Sequence, residues 1–470
     1  MSTASYKTIE NPFKSLPFLL VALGLFFIPF NSYVGISFLG EFSKESCFIF
    51  FMLAFFVQVY EIILKKTVRI PHKHPLFLML MGIMTWFLLT YFLNIIDIQN
   101  YFIKQTSGNK RFIKQYGALV ISAILLFLTY YNAFCKFTPL IVFKAIRKVL
   151  LYAFVVVSIY TVIEIFIIYF KLRFLTPVLY LFDYFPFTEA WVDTRLNRVS
   201  SVTFEPPAFA TYLTTVAGWM FSYIITHKGF KAFIPTLLVI LFSVFSGSRA
   251  GLVIIIIQLF CFLLYFIKRR HYHQTLIKFA LLLFFISIPI LIYQGKNLSN
   301  YLFEKLTSFN LKDDTHSTSN KSRFGIIYTS GIIFSQNPIK GVGFGQQAYE
   351  ARDLYPNWAT KNNWEFKLKY KNDNIKSFPP GYNIYARILA ETGLLGFFLF
   401  MLFLFICCYI CYKKMKIDST HAWFYVLLFV SFVGFALNWL KSDTFRIFGF
   451  WICLALLVFI TPQLKLRKND

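Results

Sequence analysis

Asn383 to Cys411 reads NIYARILAETGLLGFFLFMLFLFICCYIC, a run that is apolar except near its start. About 20 apolar residues cross the hydrocarbon core as a helix, so this stretch is a membrane span, and it carries Arg387 and Glu391 about one helical turn apart. Working outward, comparable apolar stretches lie near 16–39, 46–64, 75–96, 117–135, 149–170, 208–226, 232–246, 250–267, 277–294, 421–440 and 445–461. The expected fold is therefore all-α. It is one integral membrane domain over residues 1–470, a polytopic bundle of about 12 transmembrane helices with a large extracytoplasmic loop before the last three. Composition agrees: 57% of residues are hydrophobic and only 14% charged, a balance that soluble domains do not have.

The formal charge of +26 falls in short clusters between apolar runs, where topology and anionic headgroups account for it without nucleic acid. Basic groups recur after every second span: Lys65 to Lys73, Lys136 to Lys148, Lys228 with Lys231, Lys268 to Arg270, Lys413 to Lys416, and Lys465 to Lys468. The positive-inside rule puts these and both termini in the cytoplasm. The loop 97–116 is the exception, because Lys104, Lys110, Arg111 and Lys114 would lie outside. Two polar blocks then face outward, 171–207 and 295–382, the second containing an amphipathic helix expected over 322–336. The seven cysteines are scattered through apolar segments, so neither a disulfide framework nor a zinc site follows. The CxxC of Cys408 and Cys411 sits in a Phe and Leu run and reads as packing. No small-residue cleavage site follows the first apolar run, which reads as a retained anchor.

Ionisable residues at the outward ends carry the candidate chemistry. In SSVTFEPPAFATYL, residues 200–213, a proline pair fixes the chain at a helix start and aims Glu205 at the mouth of the sixth span. The same placement also suits a charge that merely complements the helix dipole. SGSRAG, residues 246–251, is an outer turn that sets Arg249 at the membrane surface. Arginine's planar fork of donors matches two phosphate oxygens, although a lone interfacial arginine also snorkels to headgroups. Arg195, Arg198 and Arg323 are expected on the same side, and convergence of this kind favours phosphate. GVGFG, residues 341–345, lacks dinucleotide spacing and follows no strand, leaving tight turning or a backbone nest for an anion. Asp313 and Asp314 read as a solvated turn. An ionisable group within a span is by default a functional candidate, which singles out Glu391; an Arg387–Glu391 pair is the structural alternative. Glu164 in the fifth span has the same claim and no evident partner in sequence.

SVTFEPPAFATYL, SGSRAG, the Arg323 stretch with NPIKGVGFG, and YNIYARILAETGLLG together resemble the membrane family of O-antigen polymerases and ligases, over roughly Val199 to Gly396. The resemblance implies an all-helical membrane enzyme that transfers a glycan from undecaprenyl pyrophosphate at the outer face of the inner membrane. It implies pyrophosphate binding by Arg249 and Arg323, and less directly by Arg195 and Arg198. Where many members carry a His before Asn, this chain has Tyr382 before Asn383, which weakens a ligase reading.

Residues and resemblance together point to a polymerase of lipid-linked oligosaccharide repeat units. Glu205, ahead of Glu391, is the candidate base; Tyr382 orients a sugar rather than taking a proton, and Asn383 is a candidate glycan contact. No cofactor or metal is required. A chain-length regulator and the bilayer are the expected partners. Ligation to lipid A core is the alternative within enzymes. A lipid-linked oligosaccharide flippase is the alternative outside them, although a transporter should gather its polar groups near the midplane and this chain gathers them at the outer ends.

Overall fold

The computed structural model describes residues 11–65, 68–192, 197–267, 317–418 and 421–466, with a few isolated positions between 268 and 316. The chain is a multi-pass helical membrane protein. The helices are α1 (Leu16–Phe27), α2 (Ser46–Lys65), α3 (Pro75–Leu93), α4 (Gly108–Phe134), α5 (Pro139–Ile168), α6 (Pro206–Thr226), α7 (Ile234–Phe245) and α8 (Arg249–Ile267). They continue as α9 (Ser317–Gln336), α10 (Gln347–Leu354), α11 (Ile384–Ile417), α12 (Ala422–Asn438) and α13 (Phe448–Leu466). Seven of them are long and apolar enough to cross a bilayer, and α1, α7, α12 and α13 contribute shorter apolar helices. Each apolar stretch named above contains a helix in this structure except 277–294, most of which lies outside the described residues, as do Arg195, Asp313 and Asp314. The count of 12 spans therefore stays an expectation.

Several boundaries differ from the sequence reading, among them the start of α5 at Pro139 instead of near 149 and of α9 at Ser317 instead of 322; two others have a physical reason. The first span stops at Phe27 instead of continuing to residue 39, because Pro29 has no N–H to extend the ladder and Gly35 and Gly40 take positive φ values beyond it. The fourth begins at Gly108, capped by the Ser107 hydroxyl, which accepts from the Lys110 N–H at 3.3 Å. Lys110, Arg111 and Lys114 are therefore helical. Two of the four cations of the 97–116 segment, Lys104 and Arg111, are engaged by protein. Lys104, 1% exposed, donates to the carbonyls of Lys369, Asn372 and Ile375 at 2.8, 2.7 and 3.1 Å. Arg111 donates to the Gly345 carbonyl at 2.6 Å and lies 3.7 Å from the centroid of the Phe378 ring. These two cations thereby fasten the 345–378 segment to the start of α4 and the turn before it.

The middle of the bundle is α6, whose span is 78% buried. Threonine, alanine and glycine on this helix let neighbours approach closely, as membrane helices require where no hydrophobic gain separates lipid from protein. The Gln258 amide of α8 donates to the Thr214 carbonyl of α6 and the Val430 carbonyl of α12, both at 3.1 Å. Such interhelical bonds contribute roughly 0.6 to 2 kcal/mol each in a membrane.

The opening stretch of α11 holds a break that its apolar sequence hides. Gly393 adopts φ 67° and ψ −170°, so the ladder stops and restarts. Backbone polar groups away from water need partners, and four groups at the break find theirs in other parts of the chain. Val342 and Gly343 N–H bond the Ala390 and Glu391 carbonyls at 3.1 and 2.9 Å, Trp86 Nε1 bonds the Thr392 carbonyl at 3.0 Å, and Leu394 N–H bonds the Pro338 carbonyl at 2.9 Å. The NPIKGVGFG segment is therefore the plug of a broken helix. A Cβ on Gly393 would sit 2.1 Å from the Ile339 carbonyl oxygen, and one on Gly341 2.4 Å from the Glu391 carbonyl carbon. Beside this plug, α9, α10 and the 355–370 segment bury a second, smaller core around Ile326, Ile333, Ala359 and Phe366.

Candidate functional site

One end of the bundle gathers the start of α6, the loop 197–205, α9 and the turn between α12 and α13. Glu205 occupies the N-cap position of α6 with extended φ/ψ, followed by Pro206 and Pro207, and its side chain does not turn back to cap the helix. The loop before it is pinned from below. Glu164, fully buried in α5, accepts from the N–H groups of Ser200 and Ser201 at 3.1 and 2.7 Å and from the Ser200 hydroxyl at 3.3 Å. Ser201 takes a φ of 53° at that anchor, and Asn31 Oδ1 receives the Phe204 N–H at 3.2 Å. The carboxylate of Glu205 is thus presented by a loop fixed at both of its neighbours.

Four cations surround it electrostatically: Arg323, Arg198, Lys441 and Lys44. Burial pushes the Glu205 carboxyl above its ordinary value, and these cations pull against that rise without cancelling it. The residue keeps exposed surface, yet enough protein encloses the carboxyl for desolvation to outweigh the neighbouring charge. Arg198 lies against the 246–251 turn, its Nε donating to the Ser246 carbonyl at 3.3 Å, and Arg249 opens α8 from the same turn. Arg323 is exposed on α9, with its guanidinium 5.2 Å from the centroid of the Tyr382 ring. The Tyr382 and Tyr370 hydroxyls are bonded at 2.7 Å. Burial raises the Tyr382 hydroxyl above its ordinary value.

Among the sequence candidates, Glu205, Arg198, Arg323 and Tyr382 therefore meet at this end, and Arg249 stands one turn segment away. Asn383 caps α11, its Oδ1 receiving the N–H groups of Tyr385 and Ala386 at 2.9 and 3.0 Å. Glu391 is 1% exposed and held at the helix break. Arg387 Nε lies 3.1 Å from each of its oxygens, and the Gln347 N–H lies 3.4 Å away. Arg387 in turn donates to the Asp443 carbonyl at 2.9 Å and to Gln115 Oε1 at 3.1 Å.

Lys441 escaped the sequence reading. It sits on the α12–α13 turn, and burial, reinforced by Arg323 and opposed by Glu205, pushes its ammonium down to about 8. A signal was available, since Lys441 and Arg446 place cations on a turn that the alternation of basic clusters assigns to the outside. Glu365 was missed too; its Oε2 is buried with no hydrogen-bond partner among the described residues, and it acts electrostatically on both tyrosines.

A cation-rich recess with one carboxylate at its centre can bind an anionic group and accept a proton beside it. A family model described as O-antigen ligase matches residues 234–401. That segment holds Arg249, Arg323, Tyr382, Asn383 and Glu391, while Glu205, Arg198 and Lys441 fall outside it. No curated protein matches the chain. The chain is thus a multi-pass membrane protein in which residues 234–401 are similar to the O-antigen ligase family.

Proposed function

We propose that this protein is a polymerase of lipid-linked oligosaccharide repeat units. It acts at the periplasmic face of a bacterial inner membrane, both termini lie in the cytoplasm, and undecaprenyl pyrophosphate carries the donor glycan. The observation that carries this reading is the grouping of Glu205 with Arg198, Arg323 and Lys441 at one end of the bundle. A hydroxyl of the acceptor unit attacks the anomeric carbon of the growing chain while the bond from that carbon to the pyrophosphate oxygen breaks. The hydroxyl proton passes to Glu205, and undecaprenyl pyrophosphate leaves with the bonding pair. Positioned cations stabilise the charge developing on the leaving group, and proton removal by a placed carboxylate contributes about 10²- to 10⁴-fold. A raised carboxyl suits that task, because a base works best when its proton affinity approaches ambient pH. Tyr382, held by Tyr370 and Arg323, is placed to orient a sugar. A chain-length regulator is the expected protein partner.

Ligation to lipid A core is the second reading, favoured by the description of the matched family model; Tyr382 in place of a His argues for polymerisation. Cells lacking the protein separate the two. Under the polymerase reading they still attach a single repeat unit to lipid A core and lose the ladder of longer chains on a gel. Loss of the single-unit band as well points to ligation, and an unchanged ladder rejects both.

A further inference from the structure

The end of α12 and the turn that follows it carry two buried donors for which the described residues supply no acceptor. Lys441 Nζ and Asn438 Nδ2 are both buried without a hydrogen-bond partner among the described residues, while Asn438 Oδ1 accepts from the Thr211 hydroxyl of α6 at 3.3 Å. An ammonium has three N–H donors and no acceptor, and enclosing one without partners is far more costly than enclosing a neutral group. Its surroundings deepen the problem, because Arg323 repels it and Glu205 is the carboxylate that offsets this. Like charges drawn together in a recess are stabilised when an anion enters between them. Phosphoryl oxygens would provide acceptors to Lys441 and Asn438 on one side and to Arg323 on the other.

We propose that Lys441, assisted by Asn438, is a direct ligand of the substrate's pyrophosphate, opposite Arg323 in the recess at the start of α6. This rests on reading that recess as the pyrophosphate site. The assignment differs from the arginines in one consequence. Arginine stays charged throughout the accessible range, whereas Lys441 is charged below its pKa and neutral above it, so a grip that includes it weakens as pH rises through about 8. Bound phosphate favours the ammonium and moves that loss to higher pH in the complex than in the free protein.

The test is binding of undecaprenyl pyrophosphate to purified protein in nanodiscs at pH 7 and pH 9, for the wild type, Lys441→Met, Lys441→Arg and Arg323→Ala. Lys441→Met is expected to weaken binding at pH 7 by roughly tenfold or more, the scale of a lost charge-assisted contact. The wild type should lose affinity between pH 7 and pH 9, and Lys441→Arg should retain it. Wild-type affinity in Lys441→Met at pH 7 overturns the proposal. If Arg323→Ala is weakened in that experiment, only the lysine assignment falls; if it too binds like the wild type, the pyrophosphate reading of the recess falls with it. Should Lys441→Met fail to reach the membrane, Lys441→Arg decides, and a pH dependence unchanged from the wild type overturns the role of Lys441.

Discussion

Glu391 and Glu205 are both carboxylates at the edge of an apolar helix, and the protein treats them in opposite ways. Glu391 is closed in at the break of α11, with Arg387 on both oxygens and the Gln347 N–H at the start of α10 beside it. Glu205 is held out at the start of α6 by an anchored loop, does not cap its own helix, and faces cations that come from four separate parts of the chain. The first arrangement satisfies the charge with protein. The second leaves charge to be satisfied by something else. Burial of an ionisable group is therefore not the mark of a site in this molecule; what separates the two is whether the partners are already in place.

The largest effect expected from this contrast is on stability. Glu391→Ala leaves the Arg387 guanidinium buried without its main partner, a change that costs about 3–5 kcal/mol. It should appear as a strong fall in thermal midpoint and in the amount of protein reaching the membrane; an unperturbed midpoint would show that the α11 break does not depend on the pair. Gly393→Ala tests the same region from the backbone. Its φ and ψ lie in a region that only glycine occupies readily, worth about 1–3 kcal/mol, and the added Cβ meets the Ile339 carbonyl. The expected result is a lowered midpoint with the plug segment made accessible to protease, and normal protease resistance would break the account of the plug.

At the other carboxylate the effects move from stability to rate. Arg323→Ala should slow polymer formation by about ten- to hundredfold, the equivalent of one charge-assisted contact of roughly 1.5–3 kcal/mol made mainly in the transition state. Arg323→Lys should recover part of it, since charge is kept and the bidentate fork is lost. Arg323 is exposed on its helix, so its thermal midpoint should stay near that of the wild type. An alanine variant of normal rate would leave Arg323 as an interfacial cation. The pH profile sharpens the comparison further. Glu205 works as a base only when deprotonated, and its carboxyl is raised, so activity should fall on acidification at a pH above the ordinary carboxylate range. An acid limb at the ordinary carboxylate value would remove the enclosed environment assigned to it.

Most of the bundle was legible because span length and apolar composition are local properties, and so was the Arg387–Glu391 pair, which needs only i,i+4 spacing. The break inside that same helix was not. A glycine in an apolar run is compatible with an unbroken helix, and the groups that complete the break, Pro338, Val342, Gly343 and Trp86, come from remote sequence. Glu164 was visible as an anomaly, but its partners lie 36 and 37 residues away. Arg323 and Glu205 were legible as candidate charges beside apolar helices. Their meeting with Lys441 was not, because it is the packing of α6, α9 and the α12–α13 turn that brings them together.

The central claim is that chemistry belongs to Glu205 and architecture to Glu391. Its most direct test is polymer formation from purified lipid-linked repeat units, per folded molecule, by Glu205→Gln and Glu391→Gln side by side, with thermal midpoints measured on the same preparations. The account predicts that Glu205→Gln keeps its midpoint and loses about 10²- to 10⁴-fold in rate, whereas Glu391→Gln has a lowered midpoint and near-normal rate in the fraction that is folded. A folded Glu391→Gln that is inactive beside an active Glu205→Gln would contradict it.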